Sequence, residues 1–224
     1  APRLDRRDDI LANHGVHIAG TDFDRRLSLA SVMPPLGYGA FGPSIGGQPP
    51  RPVPSRVYFD LTTWHLINTV YQPQRMAELR AMADFYGNPV HHQRLMKVVR
   101  DRLGHALVGR AEAAKIAVAE GGDTDIDLAL IEAGLHSPLT GAQAEAALHD
   151  DLARIVTCAH ETVVQAGIAA SDISALYFTG GSTGLKLLTD QLEAAFPGAR
   201  AARGDRMASV ATGLGLHAAR LFKA

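Results

Sequence analysis

Residues 173–185 read ISALYFTGGSTGL, and this stretch decides the fold class. Its first seven residues carry the β-branched and aromatic side chains of a strand. Gly180 and Gly181 stop the strand. Ser182, Thr183 and Gly184 then turn the chain directly into a segment of helical pattern, residues 185–196. A strand that runs through a glycine turn into a helix is a building unit of α/β proteins. Paired glycines let a ligand approach the backbone where any Cβ would collide. The helix behind them would add free N–H groups and a positive dipole end, which suit a phosphate or a polarised ribose. Taken alone, Gly-Gly-Ser between strand and helix reads equally well as a plain turn. It is not a Walker loop, because no Lys-Ser/Thr pair follows at the required spacing.

Downstream, Pro197-Gly198 breaks the helix, residues 199–202 suit a short strand, and residues 209–222 suit a final helix. Upstream, Thr140 and Gln143 form a capping-box pattern. The helix they open would bury Leu148, Leu152, Ile155, Ala159 and Val163 and stop at Gly167. Residues 124–131, TDIDLALI, alternate at the period of a half-buried strand. Residues 90–120 have a helical pattern with weak points at Gly104 and Gly109. Pro73 suits the first turn of another helix, and Asp60 or Thr62 could cap one that runs to about Tyr71. Asp22-Phe23-Asp24 opens a helix through about Val32, after a short strand or turn over residues 9–20. Between these lie residues 34–54, which hold seven of the twelve prolines and five glycines. Proline fixes φ and removes a donor, so this segment is expected as a surface loop.

A chain of 224 residues, 46% hydrophobic and 20% charged, is long enough to bury a core. Its net charge of −1 excludes nucleic acid as a default partner, since phosphate backbones demand a basic stripe. One cysteine, Cys158, cannot form an internal disulfide, so a reducing, cytoplasmic setting is expected. No apolar run reaches the length of a membrane span, so no membrane partner is expected. The first ten residues are too charged for a signal peptide. Because the sequence opens on Ala1, processing or a start within a longer gene is expected.

Three side-chain patterns carry possible chemistry. Glu112 and Lys115 stand one helical turn apart, where a carboxylate and an ammonium can grip two neighbouring hydroxyls of a ribose. The same spacing also describes an ordinary solvated pair. Residues 180–184 spell G-x-S-x-G, with Asp205 and His217 following in the order of a serine hydrolase. Against that reading, only residues 124–131 offer an upstream strand nearby, and no His-Gly-Gly segment supplies an oxyanion donor. The ten histidines yield no metal site: His160-Glu161 begins a zinc-peptidase signature, but Val164 stands where the second ligand belongs.

Four blocks, in order along the chain, together resemble the heat-shock chaperones of the DnaK type, most closely their short YegD-like members. Residues 16–27 (VHIAGTDFDRRL) resemble the family's Gly-Gly-x-Asp-Phe-Asp segment, with Ala19 for the first glycine. Residues 111–119 (AEAAKIAVA) resemble its adenosine-gripping helix, and residues 176–185 (LYFTGGSTGL) its second nucleotide-binding glycine turn. Residues 204–216 (GDRMASVATGLGL) resemble the segment whose aspartate lies near the adenine.

The resemblance implies an α/β fold, the second lobe of an actin-like (ribonuclease H-like) ATPase, with a partial sheet and a peripheral helical subdomain. Residues 1–33 and 140–224 would form the lobe core, 34–54 the Pro/Gly-rich loop, and 55–139 the helical subdomain. Gly20, Glu112, Lys115, Gly180, Gly181, Ser182 and Asp205 would contact ATP or ADP on its nucleoside side. The family's phosphate loops, magnesium-binding aspartates and catalytic lysine would precede residue 1, so the chain is expected to be non-catalytic alone. Ile116 and Gly184 stand where DnaK-type members place two adenine-stacking arginines, and Ala119 replaces the helix serine. Implied partners are the nucleotide, unfolded client proteins and co-chaperones. Self-association through an open sheet edge is also expected. A serine hydrolase, or a binding scaffold that has lost ATPase activity, stands as the alternative.

Overall fold

A computed structural model describes residues 7–44, 46–205 and 207–222. Residues 1–6 of the first expected segment, Ile45 of the loop, Arg206 of the last block and residues 223–224 lie outside the described residues. The protein is mixed α/β, mostly helical, with two small sheets. It divides into two units, one of residues 21–148 and one of residues 1–20 with 149–224. The first boundary falls at the start of a helix and the second inside one, rather than at either end of the Pro/Gly loop.

The 21–148 unit opens with α1 (Gly20–Leu27), whose first residue lies just before the boundary. Phe23, Asp24 and Leu27 are its buried residues. The chain then widens into a π-helical turn, Ser28–Val32, in which Met33 N donates to Ser28 O at 2.9 Å. Of the expected loop, Pro34–Leu36 is a 3₁₀ turn with Leu36 fully buried. Its limbs are tied by Gly42 N to Arg51 O (2.8 Å) and Val53 N to Ala40 O (2.9 Å). Helices α2 (Arg56–Leu61), α3 (Ile67–Val70) and α4 (Pro73–Ala81) follow, the last with proline at its first turn as expected.

Neither Asp60 nor Thr62 caps the start of a helix, against expectation. Helix α2 begins earlier, and the Thr62 hydroxyl folds back to donate to Tyr58 O (2.9 Å) and Phe59 O (3.1 Å) at its C-terminal end. Tyr58 is the anchor of this helix: its hydroxyl donates to Leu36 O (2.9 Å) and accepts from Tyr86 (2.9 Å). Burial pushes the Tyr58 phenol far above its ordinary pKa, so it remains a neutral donor.

Of the two expected weak points over residues 90–120, the chain breaks just before Gly104 and runs unbroken through Gly109. Helix α5 (Pro89–Arg100) starts at Asn88, whose Oδ1 accepts from Val90 N at 3.0 Å. After Arg102, held at a left-handed φ of 55°, the chain enters α6 (Gly104–Val118). Gly104 N donates to the Tyr71 hydroxyl at 2.8 Å. The expected strand over 124–131 is shorter, β1 (Thr124–Asp127), because Leu128 N turns to Leu135 O and closes a hairpin. Its antiparallel partner β2 (His136–Leu139) was not expected from the sequence. The Ser137 hydroxyl ties β2 to the π turn by donating to Ser31 O at 2.7 Å.

Helix α7 (Gly141–Gln165) carries the expected capping box: Thr140 N donates to Gln143 Oε1 (2.9 Å), and Gln143 N to Thr140 Oγ1 (3.2 Å). Its later turns belong to the second unit, together with β3 (Ala175–Phe178), α8 (Lys186–Ala195), β4 (Arg200–Arg203) and α9 (Ser209–Leu221). Strands β3 and β4 pair in parallel, Ala175 opposite Arg200. The apolar core of this unit is small: Leu152, Cys158, Phe178, Leu185, Leu188 and Phe196. Helix α9 buries none of its residues.

Gly104 is a steric keystone. A Cβ there would stand 2.6 Å from both Ile67 Cγ2 and the Tyr71 hydroxyl. Gly104→Ala therefore costs about 1–3 kcal/mol through overpacking. Gly109, with nothing within 4 Å of its Cβ position, tolerates the same change. Urea midpoints of the two variants check the contrast.

Candidate functional site

The site residues expected from sequence fall into two groups, one in each unit, with Gly20 at the start of α1. In the 21–148 unit, the regular turn of α6 sets Glu112 and Lys115 one turn apart. They do not pair with each other. Lys115 Nζ reaches Asp24 Oδ1 at 2.8 Å, joining α6 to α1. This close ion pair places the ammonium directly against the buried carboxylate. Asp24 is 8% exposed. Burial raises its carboxyl pKa, Lys115 pulls it partly back, and the Glu112 charge adds to the rise. Glu112 is exposed and, among the described residues, makes no hydrogen bond or ion pair. Beside it on α6, Ile116 is 65% exposed.

Asp24 is the buried partner of Lys115, and sequence spacing does not reveal it. Its signal was a charge set in the buried stripe of α1, between Phe23 and Leu27. A helix accepts such a charge only where a cation meets it.

In the other unit, β3 ends at Phe178, and Gly180 adopts φ 86°, ψ 157°. That conformation belongs almost solely to glycine. The turn does not lead directly into a helix. Gly181–Gly184 form a 3₁₀ turn, closed by Thr183 N to Gly180 O (3.2 Å) and Leu185 N to Ser182 O (3.1 Å), before α8 begins at Lys186. The dipole of α8 therefore starts farther from the paired glycines than the sequence pattern suggests. Thr179 Oγ1 hydrogen-bonds Ser209 Oγ, and Met207 lies against Gly181, so the turn and the entry to α9 form one local surface. Asp205 belongs to that surface. Its Oδ1 accepts from Met207 N (2.9 Å) and Ala208 N (3.0 Å), which holds its carboxyl below the usual range.

Among the described residues, no hydrogen bond joins Ser182, Asp205 and His217. No group of three or more His, Cys, Asp or Glu could hold a metal ion, and no helix is long and apolar enough to cross a membrane, again among the described residues. No protein-family model matches the chain.

The buried ion pair gives a measurable signature. Lys115→Met leaves Asp24 uncompensated and costs about 3 kcal/mol, while Asp24→Asn combined with Lys115→Met recovers much of the loss. The pH dependence follows from the raised carboxyl. Between the ordinary carboxylate pKa and the raised folded one, the folded state holds more protons than the unfolded state. Stability thus falls as pH rises through that window. The difference between wild type and Asp24→Asn, taken from denaturant midpoints across pH, isolates this slope. A difference that grows in favour of the wild type as pH rises contradicts it.

Proposed function

We propose that this chain is the C-terminal lobe of an ATP-binding, actin-like ATPase of the DnaK type, akin to its short YegD-like members, and that it contacts the nucleoside side of ATP or ADP. The observation that carries the reading is the state of α6. Lys115 is fixed by Asp24 and retains donors, while Glu112 is left free to accept from a ribose hydroxyl. Exposed Ile116 offers an apolar surface for a base where DnaK-type members use arginine. The glycine turn supports the same reading in the other unit: a backbone only glycine adopts, without a Cβ at two successive positions, suits close approach of a ligand. The two-stranded parallel sheet fits a larger sheet, since parallel strands are normally covered on both faces. Magnesium and the phosphate-positioning groups would come from elsewhere in the full protein, as would contacts with clients and co-chaperones. The setting of this function is cytoplasmic.

Titration calorimetry of the chain with ATP shows weak binding without turnover, because phosphoryl transfer needs metal and positioning groups. Glu112→Ala weakens that binding about tenfold, the worth of a hydrogen bond to a charged group. Its melting temperature stays unchanged, since Glu112 has no partner to lose. Efficient magnesium-dependent hydrolysis by this chain alone overturns the reading, and so does labelling of Ser182 by a fluorophosphonate probe.

The β3–β4 sheet has two unpaired outer edges among the described residues, and α9 exposes Val210, Leu214, Leu216 and Leu221. Such surfaces pair with other chains. The molar mass from light scattering therefore rises with protein concentration, whereas a constant monomer mass contradicts this.

A further inference from the structure

The α1 side of the 21–148 unit holds a cavity of about 240 Å³ that the nucleotide reading does not use. Gly20, Glu112 and Lys115 do not line it. Its walls come from Thr21, Asp22, Asp24, Arg25 and Ser28 along α1 and its π turn, from Thr62 to His65 after α2, and from Val108 of α6.

Four features limit what it can hold. First, the carboxylates at the wall are already matched by cations: Asp22 with Arg25 at 3.6 Å, and Asp24 with Lys115 at 2.8 Å. A charged ligand would find no spare counter-charge, so the occupant is neutral. Second, the Ser28 hydroxyl is buried at 1% exposure and, among the described residues, has no hydrogen-bond partner. Native proteins rarely leave such a group unsatisfied. Third, the polar lining offers acceptors as well as donors. Thr62 and Thr63 spend their hydroxyl protons on Tyr58 O and Phe59 O, leaving lone pairs, while Arg25 and His65 bring N–H groups to the wall. The occupant must therefore both donate and accept hydrogen bonds. Fourth, Trp64 is 60% exposed and meets His105 edge-on, with ring centroids 4.7 Å apart. With Val108 it gives the cavity an apolar wall.

We propose that this cavity binds a small neutral polyhydroxylated molecule, a monosaccharide or cyclic polyol. Its hydroxyls donate to Asp24, Thr62 and Thr63 and satisfy Ser28, and its C–H face lies on Trp64. A neutral ligand whose hydroxyls both donate and accept, with one apolar face, meets all four features. A π-helical turn at the wall agrees with this, since such turns recur where a helix is opened for a site.

The chain contains one tryptophan, so its intrinsic fluorescence reports on this cavity alone. The full chain is titrated with D-glucose, with myo-inositol and, as the charged comparison, with ethanolamine. Ribose is avoided because Glu112 and Lys115 would also be expected to bind it. The expected result is a saturable fluorescence change with glucose or inositol, confirmed by saturation-transfer NMR and undiminished by excess ATP. Ser28→Ala, which removes no protein contact, weakens binding about tenfold at unchanged melting temperature. Trp64→Ala, read by NMR, does the same. The proposal is overturned if neither polyol saturates, which would mean the cavity holds water only. It is equally overturned if ethanolamine alone binds, if ATP displaces the polyol, or if both variants bind as well as wild type. Failure of ATP to bind bears on the nucleotide reading and leaves this one standing.

Discussion

One buried charge organises the 21–148 unit. Asp24 sits in the apolar stripe of α1, and a carboxylate there is tolerable only with a cation at hand. Lys115 meets that demand, and the pairing fixes the rotation of α6 relative to α1. With that rotation set, Ala111, Ala114 and Val118 face the core while Glu112 and Ile116 face outward. Such a pair contributes little net stability over an apolar substitute. What it contributes is position, since it sets which side chains α6 presents to solvent.

The same carboxylate lines the polyol cavity, so two candidate sites share a residue without sharing a surface. The widened turn at Ser28–Val32 follows directly from α1, where the chain must leave the helix and reach the buried Met33 and Leu36. The Ser137 hydroxyl on Ser31 O secures that departure from the side of β2. Ser28, at the start of the turn, is left with a hydroxyl that no atom of the described residues claims.

Local chemistry made much of the helix pattern legible: proline at the first turn of α4, the Thr140–Gln143 box, and the break at Gly104 are stated by the residues themselves. The misses have physical causes. Strand β2 contains Pro138, which reads as non-strand, yet in a two-stranded sheet it lies opposite Asp125 with no second neighbour to demand its missing N–H. Thr62 looks like an N-cap but spends its hydroxyl on the preceding turn, a choice set by the buried position of Tyr58. For the site, Glu112 and Lys115 were visible as a pair because their spacing is helical. Asp24 was not, because its partner lies 91 positions along the chain and spacing says nothing about contacts at that distance.

The thin core beneath β3 and β4 has a consequence for time rather than for shape. Opening energies scale with buried apolar contact, and the unit with six buried apolar side chains among its described residues, and none of them on α9, has little to lose on opening. Its backbone amides should trade with solvent deuterium well before those around Tyr58 and Leu95. The glycine turn thus sits in the part of the chain that loosens first, where even a weakly held ligand changes the opening rate most.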